Sequence, residues 1–212
     1  MGLSIMLASV GRRFFCLAAI LLQILLLTGC GRILFVEPLS KLSDSPPDTE
    51  VDGTWVLSDG EVTPEALILI VSSIARDRQE ALYIEHLPGQ LLRSTRFYLY
   101  PTRIGGRRFA SIKLAPSAER PLAEKEFERN FTFVTYTVVL DRLKIFELSF
   151  DVFDRGMRSG TLKGSVEHID IVERIKIADS TENIRRFIEE NLDKIQDETN
   201  VIEFKRAELK SK

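Results

Sequence analysis

The chain has 212 residues with 29 basic and 31 acidic side chains, a formal net charge of −2. That balance argues against a general nucleic-acid binder, which needs an excess of cations for phosphate. Its two cysteines, Cys16 and Cys30, both lie in the N-terminal part, so the rest of the chain has no thiol and no disulfide.

The first element is a leader. Arg12 and Arg13 precede an apolar run over residues 14–27, broken only by Gln23, and Thr28-Gly29-Cys30 follows. A cationic start, an apolar run and a small-residue exit make a secretory signal. At roughly 1.5 Å per helical residue the run reaches about 21 Å, short of a hydrocarbon core of about 30 Å, which disfavours a spanning anchor.

Leu27-Thr28-Gly29-Cys30 resembles the lipobox of bacterial lipoproteins. The resemblance implies cleavage before Cys30, a diacylglycerol on its sulfur, and a further acyl chain such as palmitate on the new amino group. Gly31, where an aspartate would imply inner-membrane retention, points to the outer membrane with the protein facing the periplasm. The alternatives are an uncleaved anchor or an ordinary signal peptide with an incidental cysteine. Each buried methylene contributes about 0.8 kcal/mol, so one acyl chain binds marginally while two or three hold durably.

The expected organisation is a signal peptide over residues 1–29, lipidated Cys30 and a tether over 30–51, and a single β-rich domain over 52–212. The tether reading rests on "EPLSKLSDSPPDTEVD", dense in Pro, Ser and Asp and semi-extended at Pro46-Pro47. The apolar quartet Ile33-Leu34-Phe35-Val36 lies either at the membrane or against the domain.

From Gly53 the pattern is mostly strand. Trp55-Val56-Leu57 begins the first, and "ALILIVSSI" (66–74) has strand length, with a buried helix segment as the alternative. "ALYIEHL" (81–87) follows. Two further runs flank Gly105-Gly106, a hairpin signal because glycine takes positive φ without a steric cost. "NFTFVTYTVVL" (130–140) and "LKIFELSF" (143–150) form a second hairpin, with its turn placed at Asp141-Arg142.

Residues 151–159 predict a short helix capped by Asp151 and stopped by Gly160. A longer helix is capped by Asp179 or Ser180, with Ile184, Phe187, Ile188, Leu192 and Ile195 in one apolar stripe. One or two strands lie between the helices, and "VIEFK" (201–205) ends the pattern. The sum is a mainly β (α+β) fold: about eight antiparallel strands in a barrel or curved sheet, with one amphipathic C-terminal helix.

Gly53-Thr54-Trp55 is similar to the Gly-x-Trp motif of lipocalins and related calycins. That resemblance implies an eight-stranded barrel around an apolar ligand, a tryptophan packed across the barrel floor and a helix outside. It makes Trp55, Phe97, Phe133 and Tyr136 the candidate lining residues, although Trp55 also suits a plain core position. Two companion features of the family have no assignable counterpart: an arginine closing over the tryptophan from a late strand, and a Thr-Asp pair between the sixth and seventh strands. Pro38-Leu39-Ser40 and Leu162-Lys163-Gly164 resemble segments of other envelope lipoproteins, a likeness that implies no activity.

Chemistry-bearing patterns are sparse. His86 and His168 have no Cys or acidic cluster at ligand spacing, and nucleophile-elbow, zinc-protease and Walker patterns are absent, so neither a metal nor a cofactor is expected. Arg93, Arg96, Arg103, Arg107, Arg108 and Lys113 occur with no acidic residue between them. Arg103, Arg107 and Arg108, around the Gly-Gly turn, are candidates for contact with anionic headgroups or an acidic partner, at about 1 kcal/mol per cation. A solvated strand face is the plain alternative.

Two functions fit: an envelope interaction or scaffolding module, or a carrier of an apolar small molecule or lipid. The expected partners are therefore the membrane, through acyl chains on Cys30, and an apolar ligand or an envelope protein, with no nucleic acid. An apolar void of about a few hundred Å³ favours carriage, and a packed interior favours the interaction module.

Overall fold

The computed structural model describes residues 32–41, 45–57, 67–76, 78–85, 92–116, 125–169 and 172–207. The signal peptide, Cys30 and His86 lie outside them. The described chain opens with β1 (Arg32–Phe35). Seven strands then run as an antiparallel meander: β2 (Gly53–Leu57), β3 (Ile68–Ala75), β4 (Arg78–Glu85), β5 (Arg93–Ile104), β6 (Arg107–Leu114), β7 (Thr132–Val139) and β8 (Arg142–Leu148). A one-turn helix, α1 (Lys125–Arg129), sits between β6 and β7.

After β8 the chain leaves the meander for α2 (Phe150–Arg158), the hairpin of β9 (Gly164–Ile169) and β10 (Val172–Ile177), and α3 (Thr181–Glu190). It returns as β11 (Gln196–Arg206), which pairs antiparallel with both β8 and β2 and closes an eight-stranded barrel. Closure leaves these strands with no free edge. The fold is therefore mainly β, as the sequence predicts. The membership of the eight differs, because β9 and β10 stand outside the barrel in a separate three-stranded sheet with β1.

Strand periodicity sorts the side chains into two cores. On β4, Gln79, Ala81, Tyr83 and Glu85 are buried while the residues between them are half-buried, the period of two expected of a wall with distinct faces. Inward residues such as Trp55, Val71, Ala110 and Phe204 form the barrel interior. Outward residues of β5 to β7, including Tyr100, Phe109 and Phe133, form a second core with the side sheet and helices.

β1 belongs to that second core. It pairs parallel with β10, and the backbones of Phe35 and Phe131 exchange hydrogen bonds of 2.9 and 2.8 Å. Ile33, Leu34, Phe35 and Leu39 are all buried. Ile33, Leu34 and Phe35 of the apolar quartet thus pack on the domain while Val36 is exposed, and the stretch read as a tether carries a strand and, further on, a 3₁₀ turn (Thr49–Val51).

The β5–β6 turn is Gly105-Gly106, with φ of 54° and 81°. The β7–β8 turn falls one residue earlier than expected, at Leu140-Asp141, because Val139 pairs with Arg142; Leu140 takes a φ of 56°. α2 begins at Phe150 with Ser149 as its N-cap, two residues ahead of the expected Asp151, and Gly160 follows it at a φ of 73°. In α3 the Ser180 side chain accepts from the Asn183 amide, and Ile184, Phe187 and Ile188 are buried against the barrel wall. Arg185 ties this helix to the segment after β1 by donating to the Leu39 carbonyl at 2.9 Å, and to the wall by donating to Thr102 Oγ1 at 3.3 Å.

Candidate functional site

One end of the barrel is closed by a floor that the 49–51 turn lays across it. Trp55, fully buried on β2, donates its indole N–H to the Val51 carbonyl at 2.8 Å. The Arg206 guanidinium, from the end of β11, stands 4.2 Å over the Trp55 ring and donates to the carbonyls of Asp52 (2.7 Å) and Glu50 (2.8 Å). An arginine from the last barrel strand thus lies over the tryptophan, a contact for which the sequence alone showed no candidate. Cation–π contact with tryptophan, strengthened here by partial desolvation, contributes on the order of 1–2 kcal/mol.

Three more strands hold the same turn. Gln79, fully buried on β4, accepts from the Asp48 amide at 3.0 Å and donates to the Asp48 carbonyl and to Asp52 Oδ1 at 3.0 and 2.7 Å. Tyr136 on β7 donates to Asp48 Oδ2 at 2.9 Å. Burial, and then the Asp48 carboxylate, push the Tyr136 phenol pKa well above its ordinary value, so it remains a donor. Arg108 on β6 pairs with Glu50 at 2.7 Å and Asp48 at 3.6 Å.

Above the floor the barrel is hollow. A cavity of about 120 Å³ is walled mainly by apolar side chains, among them Leu69, Phe97, Leu99, Ile112 and Ile145. Its polar neighbours are Gln79, Tyr83, Tyr136 and Glu147. The first and third face the floor network. Tyr83 is buried, and among the described residues its hydroxyl meets no hydrogen-bond partner.

Of the four expected lining residues, Phe97 and Tyr136 do line the cavity. Trp55 lies in the barrel interior but belongs to the floor rather than the cavity wall. Phe133 is a correction: it points outward and stacks on Phe35 with ring centroids 3.7 Å apart. Its neighbour Val134 faces inward in its place, a choice of face that β7 does not reveal because Thr, Val, Tyr and Phe are spread over both of its faces. Tyr83 was missed for a similar reason, since "ALYIE" alternates cleanly but does not say which set faces inward.

The basic cluster is also redistributed. Arg108 is drawn into the floor by Asp48 and Glu50, with its side chain only 17% exposed, so it is not available to headgroups. Arg107 lies 3.6 Å from Asp193, and Arg103 is exposed.

Outside the wall, the outward face of β2, β3 and β4 carries an apolar group flanked by Thr54, Ser72 and Glu80. Val56 is buried, and Ile68, Ile70, Leu82 and Ile84 are half-buried in registered pairs. Among the described residues no helix is long and apolar enough to cross a membrane, and no group of three His, Cys, Asp or Glu side chains is placed to hold a metal ion. Comparisons with protein-family models, curated proteins and solved structures gave no match, so the functional reading rests on the geometry of the floored cavity.

Proposed function

We propose that this protein is a lipid-anchored bacterial envelope protein whose barrel binds a small apolar guest. The observation that carries the reading is the apolar, partly open cavity inside the barrel above a floor fixed by side chains of β2, β4, β6, β7 and β11, with Ser73 of β3 donating to Asp52 Oδ2 at 2.7 Å as a sixth. Its volume of about 120 Å³ is below the few hundred Å³ typical of drug-sized pockets and close to that of engineered apolar cavities that admit benzene, about 150 Å³. The guest is therefore the size of one aromatic ring or a short alkyl segment. The Trp55–Arg206 pair, on the first and last barrel strands, supports the lipocalin resemblance.

Two experiments test the proposal. Cys30→Ala should abolish fatty-acid labelling and leave an unprocessed precursor; normal labelling would remove the lipid anchor from the account. The full chain in nanodiscs should take up cumene saturably when its activity is fixed by vapour pressure, which makes partition into lipid a constant background. Ala110→Leu, which fills part of the cavity wall, should abolish the saturable part. Uptake that rises linearly and is unchanged by Ala110→Leu would contradict the guest-binding reading.

The outward stripe of Ile68, Ile70, Leu82 and Ile84 favours a second reading, in which this face meets an envelope protein. Absence of saturable cumene uptake would leave that interaction module ahead.

A further inference from the structure

We propose that this protein pairs with a second copy of itself through the open edge of β9, continuing the side sheet across a two-fold axis. The inference is independent of the cavity and its guest. In the side sheet β10 is central, with β1 on one side and β9 on the other. The β1 side is engaged, because Phe35 exchanges backbone hydrogen bonds with Phe131. Among the described residues β9 pairs with β10 alone, and Gly164, Ser165, Val166 and His168 are exposed.

The register says which backbone groups face outward. Ala178 donates its amide to the Lys163 carbonyl at 2.9 Å, one step beyond the Gly164–Ile177 pair. Hydrogen-bonded and non-hydrogen-bonded pairs alternate along an antiparallel ladder. Ser165 and Glu167 therefore turn their N–H and C=O groups to β10, while Gly164, Val166 and His168 turn theirs to the open edge. Natural sheets protect such edges with proline, lysine or a bulge. β9 reads Gly-Ser-Val-Glu-His-Ile and registers with β10 without a break, so it has none of these.

A second copy fits this edge in charge and in shape. With Ser165 opposite the partner's Ser165, Lys163 stands across from the partner's Glu167 at both ends, and opposite charges favour a cross-strand pair. Glu167 lies 3.8 Å from Arg174, and Lys163 is exposed. Centring the axis on Glu167 instead would set two carboxylates face to face. Val166 shares the core-facing side with its register partner Ile175, which is fully buried, yet is itself 37% exposed. In the Ser165-centred register Val166 lies opposite the partner's Gly164, whose missing side chain leaves room for it. The two-fold axis stands normal to the sheet, so the two Cys30 positions sit at one height along it and the proposed acyl chains of both copies can enter one bilayer.

The test uses the full chain in detergent, with micelles in excess over protein and the protein mass read by light scattering. The wild type should form a dimer as concentration rises. Val166→Pro removes an N–H that points away from β10, a position where an edge strand tolerates proline, and should leave a monomer. Lys163→Glu should weaken the dimer by about tenfold through like charges across the pair, and adding Glu167→Lys should restore it. Under mild oxidation Ser165→Cys should link two chains, because directly opposite residues fall within disulfide reach, whereas Val166→Cys, offset to about 7–8 Å, should not. A wild type that stays monomeric at every concentration would overturn the proposal, as would a dimer that survives Val166→Pro or crosslinking at Val166→Cys in preference to Ser165→Cys. The charge-swap pair keeps the test decisive if Val166→Pro does not fold, since a dimer indifferent to Lys163→Glu would contradict the same register.

Discussion

Trp55→Ala should destabilise the protein by about 3–5 kcal/mol, the range for removing a fully buried large aromatic side chain. Three losses combine at this position. The indole volume disappears from a site with no solvent exposure, the Val51 carbonyl loses its 2.8 Å donor, and Arg206 loses the ring 4.2 Å beneath its guanidinium. Arg206 would still be held by the Asp52 and Glu50 carbonyls, so its charge would sit over a void rather than swing away. Trp55→Phe keeps a ring beneath the cation and loses chiefly the N–H bond, at about 1 kcal/mol. Urea unfolding of the three proteins checks both values. A Trp55→Ala cost below about 1 kcal/mol would mean that the floor is not held by this pair.

Phe35→Ala should cost a similar amount, about 3–5 kcal/mol, and tests whether the chain immediately after Cys30 is structural. Phe35 is fully buried, stacked on Phe133 at 3.7 Å and edge-on to Phe153 at 5.3 Å. Glu37→Ala, two residues on at an exposed position, should stay within about 0.5 kcal/mol. Equal, small effects at both positions would restore the tether reading. A large effect at Phe35 alone means that Gly31 is the only residue between Cys30 and a packed strand. At roughly 3.3–3.6 Å per residue, lipid on Cys30 would then hold β1 close to the headgroups, with no slack to let the barrel range away from the bilayer.

The β-rich class and the position of α3 were legible because both depend on local pattern. Alternation along 81–85, the glycine pair at 105–106 and the spacing of Ile184, Phe187 and Ile188 are read within one element, although β4 itself begins earlier, at Arg78. What was not legible depends on distant partners. β1 exists because β10, far along the chain, offers a parallel edge, and its three apolar residues beside a Pro/Ser-rich stretch resemble a membrane-proximal tether until that edge is known. Phe133 and Val134 are equally suited to a core, and only barrel closure decides which core each enters. Arg206 was overlooked because its role is defined by Trp55 on the opposite end of the sequence, a pairing made only when β11 registers with β2. Arg108 belongs to a conspicuous basic run, yet two acids from the supposed tether, Asp48 and Glu50, claim it.

Whether the barrel is hollow and apolar inside can be read with xenon, which binds dry hydrocarbon cavities and makes no hydrogen bonds. Crystals of the protein pressurised with xenon should show the atom within the barrel among Leu99, Ile112 and Ile145, above the Trp55–Arg206 floor. Side chains filling that space, or ordered water in it with no xenon, would contradict the account.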